Sequence, residues 1–589
     1  MKFSVSAGSN LILKSRFALF LVVVLATVLS VSGQPRANGN GGDAPPPKPV
    51  VVSPSSPTKQ PPVTTETVGL DVVEALLLIQ QNHVVGKKID YNEIFKSSIG
   101  GMLKSLDPHS NYFDSKEFEQ FRTDQSSRYF GIGATINDLT DRDGKMTGTY
   151  IRATFENAPA NRAGLKYGDK ILDVNGTSMV GKPFTEVRDH LRGPRGTAAK
   201  VTVERNDTGK RETVEIIRDA VPQPSIAEAY MIRPGTGYIA MTGGFTQTTY
   251  IEFAEAMKRL KAAGMTQLVL DLKGNGGGLV SQAYRVANTF LESGQTIFTQ
   301  KGRIEGVTEP FRAENPLPET MPIVILVNRG SASASEILAG ALQDHDRALI
   351  VGENTFGKGL VQNPFLLEYG SMLLLTVAKY ETPSGRLIQR DYSDGSLYSY
   401  YTNGGVGRDD DAQKPNGDEA KTDLGRTVYS GGGIAPDIEI KADTITIERA
   451  RFQQKLANPI FAFALDLTAG RVKGFESLKI TQPIRFSYDI TPKDFPITDP
   501  LLQAFTRFAK DKFGYSDSQL SSEKEFIQRT LRSELVTAAY GTTSSFQVFN
   551  EYDNQLKKAI DALPKARELA LQSAEARRVS TRESGADNR

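Results

Sequence analysis

Three serines at alternate positions, Ser331, Ser333 and Ser335, stand between an apolar run, Ile323 to Asn328, and a helical pattern from Ile337 to Arg347. A serine at such a strand-to-helix turn faces free backbone N–H groups and the positive end of a helix dipole. That setting favours an oxyanion and suits a nucleophile. A plainer explanation competes for the same hydroxyl: Ser333 and Glu336 form an S-x-x-E capping box, which accounts for the serine without any chemistry. A catalytic serine also needs a base, and the 589 residues contain no cysteine and four histidines, His83, His109, His190 and His345. His345 lies twelve residues beyond Ser333, about 18 Å along a continuous helix and out of hydrogen-bonding reach. The other three fall in helical and β-rich segments, where single histidines are more often core or surface residues than catalysts. Lysine is the remaining common base. Lys358, in Phe356-Gly-Lys-Gly359, sits between the strand-like runs Leu349 to Val351 and Leu360 to Val361. Burial there disfavours the ammonium and lowers its pKa, although most lysines in glycine loops are solvated.

Two other glycine turns resemble phosphate-binding motifs and fall short. Gly352 to Lys358 fits seven positions of a P-loop, but Gly359 replaces the Ser or Thr that should ligate magnesium. Gly274-Asn-Gly276-Gly-Gly-Leu279 begins like a dinucleotide fingerprint and ends on leucine. It reads either as an ordinary strand-to-helix turn or as a nest of N–H groups able to hold a developing negative charge.

The elements that must position these residues follow from punctuation. Lys2, Lys14 and Arg16 precede the apolar run Phe17 to Val31, with Val31 and Gly33 placed for cleavage before Gln34; residues 1–33 read as a signal peptide or N-terminal membrane anchor. Nine of the thirty residues from Gln34 to Val63 are proline, so 34–67 is expected to be a disordered tether. Residues 68–115 carry helical spacing at Leu70, Val73, Leu76 and Leu77 and again from Tyr91 to Leu106, stopped by Asp107-Pro108. Residues 116–221 alternate short β-type runs with turns and one helix near Pro183 to Leu191. Residues 222–444 switch to apolar strands followed by helices, α/β grammar, with a polar loop insertion at 391–427 that holds Asp409 to Asp411. Helical patterns dominate 445–575, and 576–589 is expected to be a disordered, charged tail. The fold class expected is a multidomain α/β protein: an N-terminal helical module, a β-rich domain, an α/β core and a helical C-terminal region. With 70 Lys and Arg against 68 Asp and Glu, the net charge is +2, and interspersed charge leaves no footprint for nucleic acid. The absence of cysteine removes thiol nucleophiles, disulfides and Cys-type metal sites.

Four runs, Ser105 to Tyr112, Asp271 to Gly278, Asn328 to Ile337 and Gly352 to Gln362, resemble in order and spacing the carboxyl-terminal processing peptidases, or tail-specific serine proteases. The β-rich module resembles a PDZ domain, with Tyr129-Phe130-Gly131-Ile132-Gly133 as its carboxylate-binding loop and Ala158 to Gly164, Gly168-Asp169 and Asn175-Gly176 as its second signature. The resemblance implies Ser333 as nucleophile, Lys358 as general base and Gln362 as the residue orienting that base. It implies Ala334 and a glycine of the 276–278 turn, taken as Gly277, as oxyanion donors. Asp344, about 16 Å from Ser333 along the helix, is expected to support the fold or the lysine's surroundings. Lys273 stands where the family usually has arginine and Gly276 where proline is common; neither departure removes a catalytic group. The resemblance further implies protein or peptide substrates with exposed apolar C-termini, gripped by the loop around Phe130 and Ile132. No cofactor and no metal are expected, and the membrane is met only through the N-terminal anchor. Whether the chain forms a homo-oligomer or uses an adaptor is left open, as is an inactive PDZ adaptor as the alternative function. Localisation to the periplasm or cell envelope follows from the N-terminal signal.

Overall fold

The computed structural model describes residues 63–304, 308–393, 400–401 and 417–586. The apolar leader, nearly all of the tether, the last three residues of the charged tail and Asp409 to Asp411 lie outside the described residues. The chain divides into two compact units after Ile89. In the first, Thr64 starts the helix Thr65–Asn82 by accepting the Thr67 N–H, and a 3-10 turn follows at Gly86–Lys88.

The second unit opens with the helix Tyr91–Lys104, whose first N–H groups are accepted by the Asp90 carboxylate. The β-rich domain that resembles a PDZ module follows as an antiparallel sheet in the order Ala134–Thr140, Met146–Thr154, Lys170–Val174, Ala198–Glu204, Arg211–Ile217. Ile151, Ile171, Val201 and Val203 face the helix Phe184–Leu191 across a closed apolar core. Ala134–Thr140 is an edge strand. The domain is tied off by a two-stranded ribbon in which Arg128–Gly131 pairs with Asp219–Pro222.

The protease core is a six-stranded sheet ordered Glu228–Arg233, Thr236–Ala240, Gln267–Asp271, Ile323–Val327, Leu349–Gly352, Ile438–Glu439, parallel except for the first pair. Its strands read as unbroken apolar runs because both faces are covered. On one face Leu268, Leu270, Ile323, Ile325 and Ile350 pack on the helices Thr249–Ala262, Val280–Asn288 and Ala334–Asp344. On the other, Val269, Val324, Leu326 and Val351 pack on Leu556, Ile560, Leu563 and Ala566 of the helices Asn554–Asp561 and Leu563–Ala586. These two helices complete the α/β core, and the second runs on to Ala586, so the described part of the stretch expected to be a disordered tail is helical. A second, antiparallel sheet joins Asn111–Phe113, Met372–Glu381, Thr296–Gly302 and Glu309–Arg312, with Leu360–Leu366 also paired to Met372–Glu381.

The remaining C-terminal helices, chiefly Ile447–Thr468, Asp499–Phe513 and Lys524–Asn550, build their own core around Ile460, Phe463, Phe505 and Leu531, and Tyr167 of the PDZ domain enters it. Within the loop insertion, Glu419–Lys421 and Thr427–Tyr429 pair as a short hairpin. Among the described residues no helix is long and apolar enough to cross a membrane.

Candidate active site

The three alternating serines do different things. Ser331 Oγ donates to the Leu272 carbonyl at 2.8 Å and Ser335 Oγ to the Asn275 carbonyl at 2.8 Å, so both clip the serine turn to the neighbouring glycine turn. Ser333 is left to face the site. It has φ +56 and ψ −114, a conformation that ordinary residues adopt at a cost of about 1–3 kcal/mol. The Glu336 N–H is accepted by the Ser333 carbonyl at 2.8 Å. The capping box read from the sequence is present, and its firm half is the Ser333 N–H, which donates to the Glu336 carboxylate at 2.8 Å.

Glu336 does more than cap. Fully buried, its carboxylate also accepts the N–H groups of Gly357 at 2.7 Å and Lys358 at 2.8 Å and the Thr355 hydroxyl at 2.5 Å. One side chain therefore holds the backbones of Ser333 and Lys358 in fixed relation, 25 residues apart in sequence. Tyr380 adds a second link, its hydroxyl lying 3.0 Å from the Ser333 carbonyl and 2.8 Å from that of Lys358. Burial pushes the Glu336 pKa up, against the four hydrogen bonds that favour the carboxylate.

Lys358 Nζ donates to Gln362 Oε1 at 2.8 Å, and Gln362 Nε2 donates to the His109 carbonyl at 2.6 Å. That carbonyl is presented by a turn in which Asp107 accepts the N–H groups of His109 and Ser110, each at 2.8 Å. Burial depresses the Lys358 pKa, opposed by the charges of Glu336 and Asp107. Part of that burial is aromatic: His109, Phe356 and Tyr400 meet edge to face, with centroids 5.4 to 6.5 Å apart. The His109 imidazole hydrogen-bonds the Tyr400 hydroxyl at 2.7 Å, and burial followed by the nearby Lys358 charge lowers its pKa to about 4, so it is neutral at pH 7. Lys358 and Ser333 form no direct hydrogen bond in this state; such contacts often tighten only with substrate bound.

Gly277 has φ +98, and a Cβ added there would lie 2.8 Å from Ser333 Cβ and 3.1 Å from the Ala334 nitrogen. The glycine turn is thus pressed against the serine turn. The Ala334 N–H is uncommitted. The Gly277 N–H, expected to be its oxyanion partner, instead donates to Asn275 Oδ1 at 2.9 Å. The N–H groups of Gly276 and Gly278 make no hydrogen bond among the described residues. His345 stands at the far end of the helix, bonded to Asp423 and to the Thr296 carbonyl, each at 2.8 Å. Asp344, one residue earlier, is fully buried and pairs with Arg386 at 2.6 Å and with the Ser384 hydroxyl at 2.7 Å. It fixes the segment that leads to Gln389, whose Oε1 accepts the Gly359 N–H at 2.8 Å.

In the PDZ domain, a cleft of about 680 Å³ lies beside the edge strand Ala134–Thr140 and is lined by Tyr129 and Ile132. Phe130 is not among its lining residues. Along a strand alternate side chains point to opposite faces, and Phe130, next to Tyr129, turns outward with 40% of its surface exposed. Gly131 lies within the ribbon opposite Asp219. Gly133 has φ +74 and so close an approach to Ala158 that a Cβ would overlap it. The residues that sequence alone missed, Glu336 in its second role, Tyr380, Asp107, the His109 carbonyl and Tyr400, act mostly through backbone groups and long-range contacts.

A model of peptidase family S41 matches residues 235–394, and a PDZ domain model matches 151–205. A carboxy-terminal-processing protease of Bartonella bacilliformis is 36% identical over 307 residues, 51% of this chain and 68% of that protein. The carboxy-terminal processing protease CtpA of Bacillus subtilis is 35% identical over 305 residues, 52% of this chain and 63% of its own length. A solved photosystem II D1 C-terminal processing protease is 26% identical, covering 64% of this chain and 94% of that one at a TM-score of 0.32. Carrying both the S41 core and the PDZ module, the chain belongs to the carboxy-terminal processing proteases of peptidase family S41, which are serine peptidases.

Proposed function

We propose that the chain is an exported endopeptidase that recognises the C-terminal tails of unfolded proteins through its PDZ domain and cleaves them with Ser333 as nucleophile and Lys358 as general base. The observation that carries this reading is the pairing of a serine held at positive φ at a helix start with a buried lysine whose pKa is depressed, the two backbones held together by Glu336 and Tyr380. Export rests on the basic and apolar N-terminal run alone.

The free carboxylate of a tail is received by the N–H groups of Ile132 and Gly133, which have no partner among the described residues, while the tail adds as a strand to the edge Ala134–Thr140. At the active site neutral Lys358 takes the Ser333 proton as Oγ bonds to the scissile carbonyl carbon. The negative charge moves onto the carbonyl oxygen, where the Ala334 N–H and an N–H of the glycine turn stabilise it. Gln362 keeps the amine aimed by accepting a hydrogen bond from Nζ at 2.8 Å. The lysine ammonium then protonates the departing amine as the C–N bond breaks. A water, deprotonated by the same lysine, attacks the acyl ester and releases the new C-terminus and the serine. Residues of this chain supply every proton transfer.

The test is cleavage of a disordered polypeptide with an apolar free C-terminus by wild type, Ser333→Ala and Lys358→Ala. Wild type should cut, and each variant should lose about a thousandfold or more of kcat/KM. An inactive wild type, or a variant that cuts normally, overturns the assignment.

A further inference from the structure

The tail cleft is not made by the PDZ domain alone. One side is PDZ-derived, Ile132 and Ile136 facing Phe184 and Leu191, while Phe486, Ser487, Thr542, Thr543 and Phe546 of the C-terminal helical region line the same space. Its volume of about 680 Å³ falls within the range of ligand clefts. Phe546 is 40% exposed and Phe184, which lines the same cleft, is 43% exposed, so the apolar exposure is clustered in one concave surface, as at binding sites.

This wall is built and rigidly mounted. The helix Lys524–Asn550 is fixed to the PDZ domain by Glu534, which is 5% exposed and receives Arg152 at 2.6 Å and the Tyr167 hydroxyl at 2.8 Å. Seven residues later Gly541, with φ +83 and ψ 173, breaks the helical path and redirects the segment bearing Thr542, Thr543 and Phe546. The Phe486 ring fills the space beside that glycine, 3.0 Å from where a Cβ would sit. Ser544 Oγ to the Tyr488 carbonyl at 2.8 Å and the Ile490 N–H to Gln547 at 3.0 Å stitch the Phe486 segment to the redirected helix. Facing it, Arg188 and Arg192 line the cleft together with Glu156; Arg188 pairs with Asp189 at 2.9 Å, and the Arg192 guanidinium lies over the Tyr129 ring, 5.2 Å from its centroid.

We propose that Phe486 and Phe546 form a specificity subsite for a bulky apolar side chain near the C-terminus of the substrate, so that tail selection is shared between the PDZ domain and the C-terminal helical region. The occupant is an extended polypeptide tail. Its carboxylate lies at Ile132 and Gly133, its backbone pairs with Ala134–Thr140, and one apolar side chain is enclosed between the PDZ face and the two phenylalanines. The proposal rests on the tail-recognition reading above.

The experiment measures kcat and KM of the full chain for a disordered substrate with three tails: a bulky apolar tail with free carboxylate, the same tail amidated, and one in which the bulky residues are alanine. Phe546→Ala and Phe486→Ala should raise KM for the first tail by about fivefold or more, leave kcat at saturation within about twofold, and leave the alanine tail unaffected; Phe546→Leu should recover most of the loss. Equal KM for wild type and Phe546→Ala on the bulky tail, or an equal loss on all tails, overturns the subsite. Because Phe546 is partly exposed, its truncation should keep the fold, and Thr543→Arg, at an exposed cleft position, should raise KM by obstruction. Failure of wild type to cleave, or indifference to amidation, would instead sink the underlying reading of dyad or tail carboxylate.

Discussion

Glu336→Gln is the most informative single change. The carboxylate accepts four hydrogen bonds, two on each oxygen: Thr355 and Gly357 on one, Ser333 and Lys358 on the other. A glutamine of the same shape presents one acceptor oxygen and one NH2, so whichever way it turns, two donors face another donor. Each buried unsatisfied donor costs about 1–3 kcal/mol, giving a stability loss of about 2–6 kcal/mol. The electrostatic consequence has a defined sign. Burial lowers the Lys358 pKa and the Glu336 charge partly restores it, so removing the charge lowers it further. The acid limb of the pH–rate profile, on which Lys358 must lose its proton, should therefore move to lower pH even as kcat falls from disturbed geometry. Urea unfolding and kcat/KM across pH read the two effects separately. Unchanged stability, or an acid limb moved upward, would refute the reasoning.

Further perturbations separate support from chemistry. Asp344→Asn should cost about 3–5 kcal/mol by leaving the fully buried Arg386 without its charge partner. Because Asp344 makes no contact with the lysine amine, folded enzyme at low temperature should keep the wild-type acid limb, and a shifted limb would contradict this. Gly277→Ala places a methyl 2.7 Å from the Ala332 carbonyl oxygen and 2.8 Å from Ser333 Cβ at a positive φ. It should abolish turnover while tail-peptide binding, followed by fluorescence anisotropy, is retained; normal turnover would contradict it. Glu534→Gln should weaken the clamp from Arg152 and Tyr167 by about 2–5 kcal/mol, seen as faster hydrogen exchange in Met146–Thr154, and unchanged protection there would refute the clamp.

What could be read in advance depended on whether information was local. The run Ile323 to Val327 announces a doubly covered strand, and the helix after Ser333 carries His345 out of reach by rise alone, as observed. Glu336 was legible as half of a capping box because that pattern spans three residues; its grip on Gly357 and Lys358 was not, since no spacing rule joins a helix start to a loop 21 residues away. His109 was discounted as a base, and its imidazole is neutral and bonded to Tyr400; its contribution is a carbonyl, which any residue possesses. The resemblance to a PDZ loop places Phe130 in the tail pocket, but strand alternation assigns that face to Tyr129. The helical patterns of 445–575 name no partner, and it took the fold to place the protease sheet beneath the last two helices.

The central claim is that a lysine, deprotonated because it is buried, activates Ser333. The most direct measurement is the pH dependence of the single-turnover acylation rate by an activated ester, with the acyl group located by mass spectrometry. The account predicts acylation at Ser333, a rate that rises through one ionisation below the ordinary lysine value of 10.5, and loss of that ionisation in Lys358→Ala. Acylation elsewhere, or the same profile in Lys358→Ala, would contradict it.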